Sequence, residues 1–131
     1  MYNLIPDVTK VIFNVLTEEY TDLYDLVETN VWSPNPPPST LWKNETPAII
    51  YHSASERGLD EFFDARINFR CYGGSNKHED ARNVYLALYE RLNEANEHGL
   101  IMAIHDTATV NITESGTRFP LAIATYQCKI T

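Results

Sequence analysis

The stretch Phe63-Asp64-Ala65-Arg66-Ile67-Asn68-Phe69-Arg70-Cys71-Tyr72 decides the fold. Phe63, Ala65, Ile67, Phe69 and Cys71 alternate with Asp64, Arg66, Asn68, Arg70 and Tyr72. A strand sends successive side chains to opposite faces, so this alternation predicts a sheet with one buried and one polar face. Something apolar must cover the buried face. Gly73-Gly74-Ser75-Asn76 breaks the strand, and Asn76 with Glu79 offers a capping box for a helix. In that helix Ala81, Val84, Tyr85, Leu88, Leu92 and Ala95 form an apolar stripe able to cover the sheet. His98-Gly99 is expected to end it, glycine supplying the left-handed cap.

Working outward, Leu100 to His105 and Ala108 to Thr113 read as one long or broken strand, and Glu114-Ser115-Gly116-Thr117 as a turn. Phe119 to Ile130 reads as a last strand with Ala122, Ala124, Tyr126, Cys128 and Ile130 on one side. Upstream, Pro47 opens a strand at Ala48-Ile49-Ile50-Tyr51-His52. Before it lies Ser33-Pro34-Asn35-Pro36-Pro37-Pro38-Ser39, which favours extended polyproline backbone without a hydrogen-bonded ladder. Ile5, Val8, Val11, Ile12, Val15 and Leu16 fall on one stripe of a first helix, capped by Asn3 or Asp7 according to where Pro6 sits. Glu18, Glu19, Asp22, Asp25 and Glu28 then interleave with Tyr20, Leu23, Tyr24, Leu26 and Val27, a short acidic amphipathic turn or helix.

The predicted class is α+β: a mainly antiparallel sheet of about four strands with two helices packed on one face. Residues 1–131 read as one domain with a Pro-rich loop projecting at 33–41, because the residues before the loop are too few to bury a core. Composition agrees, with 44% hydrophobic and 21% charged residues, as in ordinary globular proteins. Ten Lys and Arg against eighteen Asp and Glu give a net charge of −8, which disfavours gripping DNA or an anionic membrane. No run approaches the ~20 apolar residues of a membrane span, and the start lacks the order of a signal peptide. The chain therefore reads as cytosolic in origin. Cys71 and Cys128 are expected to be reduced thiols packed in the core, and the Asn44 and Asn111 sequons carry no weight in such a compartment.

No catalytic, cofactor or metal constellation emerges. His52, His78, His98 and His105 lack paired ligand spacing, and His78 and His98 read as solvated residues bracketing the long helix. Gly73-Gly74-Ser75-Asn76-Lys77 resembles a phosphate cradle only superficially, because the P-loop spacing is missing, so a tight turn is expected. Asp60, Glu61 and Asp64 form a carboxylate cluster that reads as a solvated face. The proline loop is the unusual feature. Trp32, Leu41 and Trp42 around it make either a lid on the chain's own core or an arm reaching a neighbouring subunit.

The layout resembles the tail-terminator (tail-completion, tail-to-head joining) proteins of long-tailed bacteriophages. The resemblance is carried by the apolar first helix, Asp22-Leu23-Tyr24-Asp25-Leu26 leading to Val31-Trp32, and the Pro-rich loop. It continues through Pro47-Ala48-Ile49-Ile50-Tyr51, Arg66-Ile67-Asn68-Phe69-Arg70-Cys71-Tyr72, the Ala81-Arg82-Val84-Leu88 helix and two closing strands. It implies a virion protein of the neck, assembled in the host cytoplasm. Such a protein forms a ring, usually of six subunits, that caps the tail-tube protein, stops tube growth and meets the head-completion or connector protein. Genomic DNA would pass through the lumen without specific binding, and neither a cofactor nor a membrane is involved. Under this reading Trp32, Pro36, Pro37, Pro38, Leu41 and Trp42 are candidate subunit-interface residues. Glu18, Glu19, Asp22, Asp25 and Glu28 are candidates for an acidic channel lining that repels passing DNA. The rival readings are another neck component such as a head-completion or stopper protein, a small enzyme acting on a phosphorylated metabolite at Gly73 to Lys77, and a ligand-binding α+β module.

Overall fold

A computed structural model of the chain describes residues 7–37, 42–58 and 62–131. Helices α1 (Val8–Leu16) and α2 (Asp22–Val27) are followed by strands β1 (Val31–Trp32), β2 (Ala48–Gly58) and β3 (Phe63–Tyr72). Helix α3 (His78–Glu94) then leads to β4 (Leu100–Thr113) and β5 (Pro120–Ile130). The fold is α+β. The five strands form one sheet in the order β1-β2-β3-β5-β4. All neighbours are antiparallel except β1, which runs parallel to β2 over Val31↔Ile49 and Trp32↔Ile50.

The deciding stretch behaves as its alternation requires. Ala65, Ile67, Phe69 and Cys71 of β3 join Ile49 and Tyr51 of β2 and Ala122, Ala124, Tyr126, Cys128 and Ile130 of β5 in the main core. The helices cover that face with Val8, Ile12, Val15 and Leu16 of α1, Leu23 and Val27 of α2, and Val84, Ala87, Leu88 and Leu92 of α3. Each fully buried Leu, Ile or Phe among them contributes roughly 1.5–3 kcal/mol. Two hydrogen bonds fix the tilt of α1: the Tyr51 hydroxyl donates to the Thr9 carbonyl at 2.6 Å, and Arg91 Nε donates to the Val15 carbonyl at 2.9 Å. Cys71 and Cys128 are buried free thiols, as expected of small core residues.

Several element ends differ from expectation. The sheet has five strands because Val31-Trp32, too short to show a period, pairs at the edge, and three helices, not two, pack on the core face. Strand β2 runs on to Gly58, through polar residues whose exposure hid the strand. Lys77, not Asn76, stands at the N-cap of α3 and makes no side-chain capping bond. Ser75 braces the turn into the helix: its Oγ accepts from the Lys77 amide at 3.0 Å and donates to Asp80 at 2.5 Å. Helix α3 ends at Glu94, before His98-Gly99. His98 and Gly99 both have positive φ (57° and 97°), but they turn the chain into β4, with the Leu100 amide donating to the Glu97 carbonyl at 2.9 Å. Asp7 is the cap of α1, accepting from the Lys10 amide at 3.1 Å, while Asn3, Ile5 and Pro6 lie outside the described residues.

Candidate assembly surfaces

The described part of the proline loop, residues 33–37, follows β1, and Trp42 lies on the sheet face opposite the helices. There Trp42, Ala48, Ile50, Tyr72 and Leu121 form a second buried cluster, with Trp32, Ile112, Phe119 and Ile123 packed against it. The Trp42 indole is 8% exposed, donates to the Thr46 carbonyl at 2.9 Å, and meets Tyr72 and Phe119 edge-on at 5.0 and 6.1 Å. Buried in this way, the Trp42 ring packs as a lid on the chain's own core. Trp32 is half-buried, Pro36 exposed and Pro37 half-buried. Pro36 and Pro37 border a groove of about 340 Å³ whose floor includes Trp42, Tyr72 and Phe119. Pro38 and Leu41 lie outside the described residues.

The glycine turn after β3 is filled by protein. Asn44, held at φ 57°, accepts from the Gly74 amide and donates to the Ser75 carbonyl, both at 3.1 Å. A Cβ on Gly73 would lie 2.4 Å from the Ala81 nitrogen, and one on Gly74 2.5 Å from the Thr46 carbonyl carbon. With the Gly74 and Lys77 amides engaged by side chains, the tight-turn expectation holds and no open phosphate cradle forms. Asn44 was invisible as a structural residue in the sequence, where it read only as a chance sequon. Its contact partners lie 30 and 31 residues away.

The acidic stretch divides in two. Thr21 caps α2 by accepting from the Tyr24 amide at 3.1 Å, which buries Leu23 and Val27 and leaves Asp22, Asp25 and Glu28 exposed. Glu19 is also exposed, whereas half-buried Glu18 pairs with His98 at 2.6 Å. His98 is therefore a surface partner of Glu18, and His78 is half-buried at the start of α3. His52 contacts Asn68 at 3.3 Å, and His105 stands among Tyr85, Tyr89 and Tyr126. Among the described residues no three His, Cys, Asp or Glu side chains are grouped to hold a metal ion. Asp64 accepts from Gln127 at 2.7 Å and lies 3.7 Å from Arg57, while Asp60 and Glu61 fall outside the described residues.

The open face of the sheet is polar along its middle. Thr125 donates to Asn68 at 2.9 Å, Arg66 pairs with Asp106 at 2.6 Å, and Arg70 lies 3.6 Å from Glu114. Glu114 also accepts from the Tyr72 hydroxyl, and burial together with this carboxylate pushes the Tyr72 hydroxyl well above its ordinary range. Beside this network runs β4, the last strand of the sheet. Only Leu100 of its fourteen residues is buried, and Ile101, Met102 and Ile104 are 38%, 44% and 46% exposed. This edge is a surface that sequence reasoning missed. Residues 100–113 contain no Pro, Lys or Arg, so their composition carries none of the usual marks of an edge strand.

No protein-family model and no curated protein sequence matches the chain. Among solved structures it is similar in fold to a chain of the virion of a native gene transfer agent particle. The TM-score is 0.64, with 13% sequence identity, over 94% of this chain and 93% of that one.

Proposed function

We propose that this chain is a structural virion protein that assembles into a ring, usually of six copies, on the end of a phage tail tube. The carrying observation is the fold likeness to a virion chain along nearly the full length of both proteins. The order of elements supports the same reading through its resemblance to tail terminators. In this role the chain is one domain whose working parts are contact surfaces, with no reacting residue. The ring ends tube elongation, meets the head-completion or connector protein above, and lets genomic DNA through its lumen at the neck.

Within this proposal Trp32, Pro36, Pro37, Pro38, Leu41 and Trp42 supply the contact with the neighbouring subunit, the Trp42 ring forming part of the groove that Pro36 and Pro37 border. Exposed Glu19, Asp22, Asp25 and Glu28, with Glu18 at their margin, face the lumen and repel the DNA backbone. The test is a phage lacking the protein. Tails of uncontrolled length that do not join heads are expected. Tails of normal length that still fail to join would move the protein to the head-completion side of the neck, and normal joined particles would end the proposal.

A further inference from the structure

We propose that copies of this chain join head to tail through their sheets, the outer edge of β4 in one copy pairing antiparallel with the free half of β2 in the next. This rests on the ring reading and names its contact. Both edges are open among the described residues: β4 ends the strand order, and β1 covers β2 only at Ile49 and Ile50, leaving Tyr51–Gly58 without a neighbour on that side. The directions also fit. Strands β2, β3, β5 and β4 alternate, so β2 and β4 run oppositely, and a copy added beside β4 in the same orientation brings its β2 up antiparallel.

An exposed edge is normally blunted with Pro, Lys or short length, because its free amides and carbonyls template pairing with another chain. Strand β4 is fourteen residues long, has none of those residues, and shows Ile101, Met102 and Ile104 to solvent. Its three register shifts are the one blunting feature it carries, but Met102–His105, around Ile104, keeps regular register, and its Asp106 is already paired with Arg66. The free half of β2 is polar and carries Glu56 and Arg57 just before Gly58, so it suits a partner edge that brings no unpaired charge. Two different edges on one sheet make a heterologous contact, which closes into a ring when each copy is rotated relative to the last. Pairing of β4 with a second β4 would stop at a dimer and leave β2 open.

Full-length Ile104→Cys and Ser55→Cys variants test this, with Arg57→Cys, which lies on the same open face, as a second partner to cover a neighbouring register. Native Cys71 and Cys128 are buried and stay out of the reaction. Under mild oxidation a mixture of Ile104→Cys with a β2 variant should give a covalent dimer, Ile104→Cys alone should give none, and both changes on one chain should give a ladder of oligomers. Ile104→Lys should convert rings to monomers with unchanged circular dichroism. A dimer from Ile104→Cys alone would overturn the inference in favour of β4 self-pairing. Rings seen by electron microscopy without any mixed cross-link, or rings that survive Ile104→Lys, would overturn the edge contact and leave the ring standing. Monomers at every concentration of the unaltered protein would remove both.

Discussion

Strands β5 and β4 are antiparallel neighbours with similar apolar content, and they meet opposite fates. In β5, Ala122, Ala124, Tyr126, Cys128 and Ile130 are buried beneath the helices and Leu121 is buried in the Trp42 cluster on the other face. In β4 only Leu100 is buried, although Ile101, Met102, Ile104, Val110 and Ile112 lie along it. Position in the sheet separates them. A central strand is covered by its own chain, whereas an edge strand this long and this poor in charge presents a surface suited to another.

Breaking the contrast begins in the covered region. Phe69, fully buried and stacked edge-on with Tyr126 at 5.7 Å, should cost about 3–5 kcal/mol on Phe69→Ala in urea unfolding. Ile104→Ala on β4 should cost under about 0.5 kcal/mol in the same assay. A comparable loss at both sites would mean that β4 is packed as tightly as the centre. Trp42→Ala should come next, at about 3 kcal/mol from lost packing. Pro36→Ala should leave the melting temperature unchanged and weaken association measured by sedimentation, which separates lid from contact.

The core thiols sharpen the contrast with pH. Burial pushes the Cys128 thiol up to about 12 from an ordinary 9.0, so the folded state holds its proton more tightly than the unfolded chain. That contribution to stability is complete below pH 9 and is lost as pH rises toward about 12. The melting temperature should therefore fall across this alkaline window, and less steeply in Cys128→Ala. Neither thiol should react with a maleimide at neutral pH until the chain unfolds. The smallest effect is expected at the rim: Glu18→Gln, which removes a half-exposed pair with His98, should cost less than about 1 kcal/mol.

Residues 63–72 and 119–130 were legible in the sequence because period-two alternation reports a half-buried strand directly. The stripes of α1 and α3 were legible for the matching reason at helical spacing. Strand β1 was not, since two residues carry no period, and the polar end of β2 hid because an exposed strand has no apolar code. The capping expectation failed because the N-cap falls one residue later, at Lys77, where Ser75 holds the Lys77 amide and reaches Asp80 five residues on. Among the candidate site residues, the acidic positions 22, 25 and 28 were legible as exposed because they stand one, two or five residues from Leu23 and Val27 and so fall off the face that those two share. The burial of Trp42 was legible only as one of two readings, because Tyr72 and Phe119, which reach it, lie far away in sequence. The open edge of β4 depends on strand order, which no local pattern encodes.

Electron micrographs of the purified protein, alone and mixed with isolated tail tubes, test the central claim most directly. Closed rings seated on the tube ends are the predicted result. Solitary subunits at every protein concentration, with tube ends left bare, would contradict it.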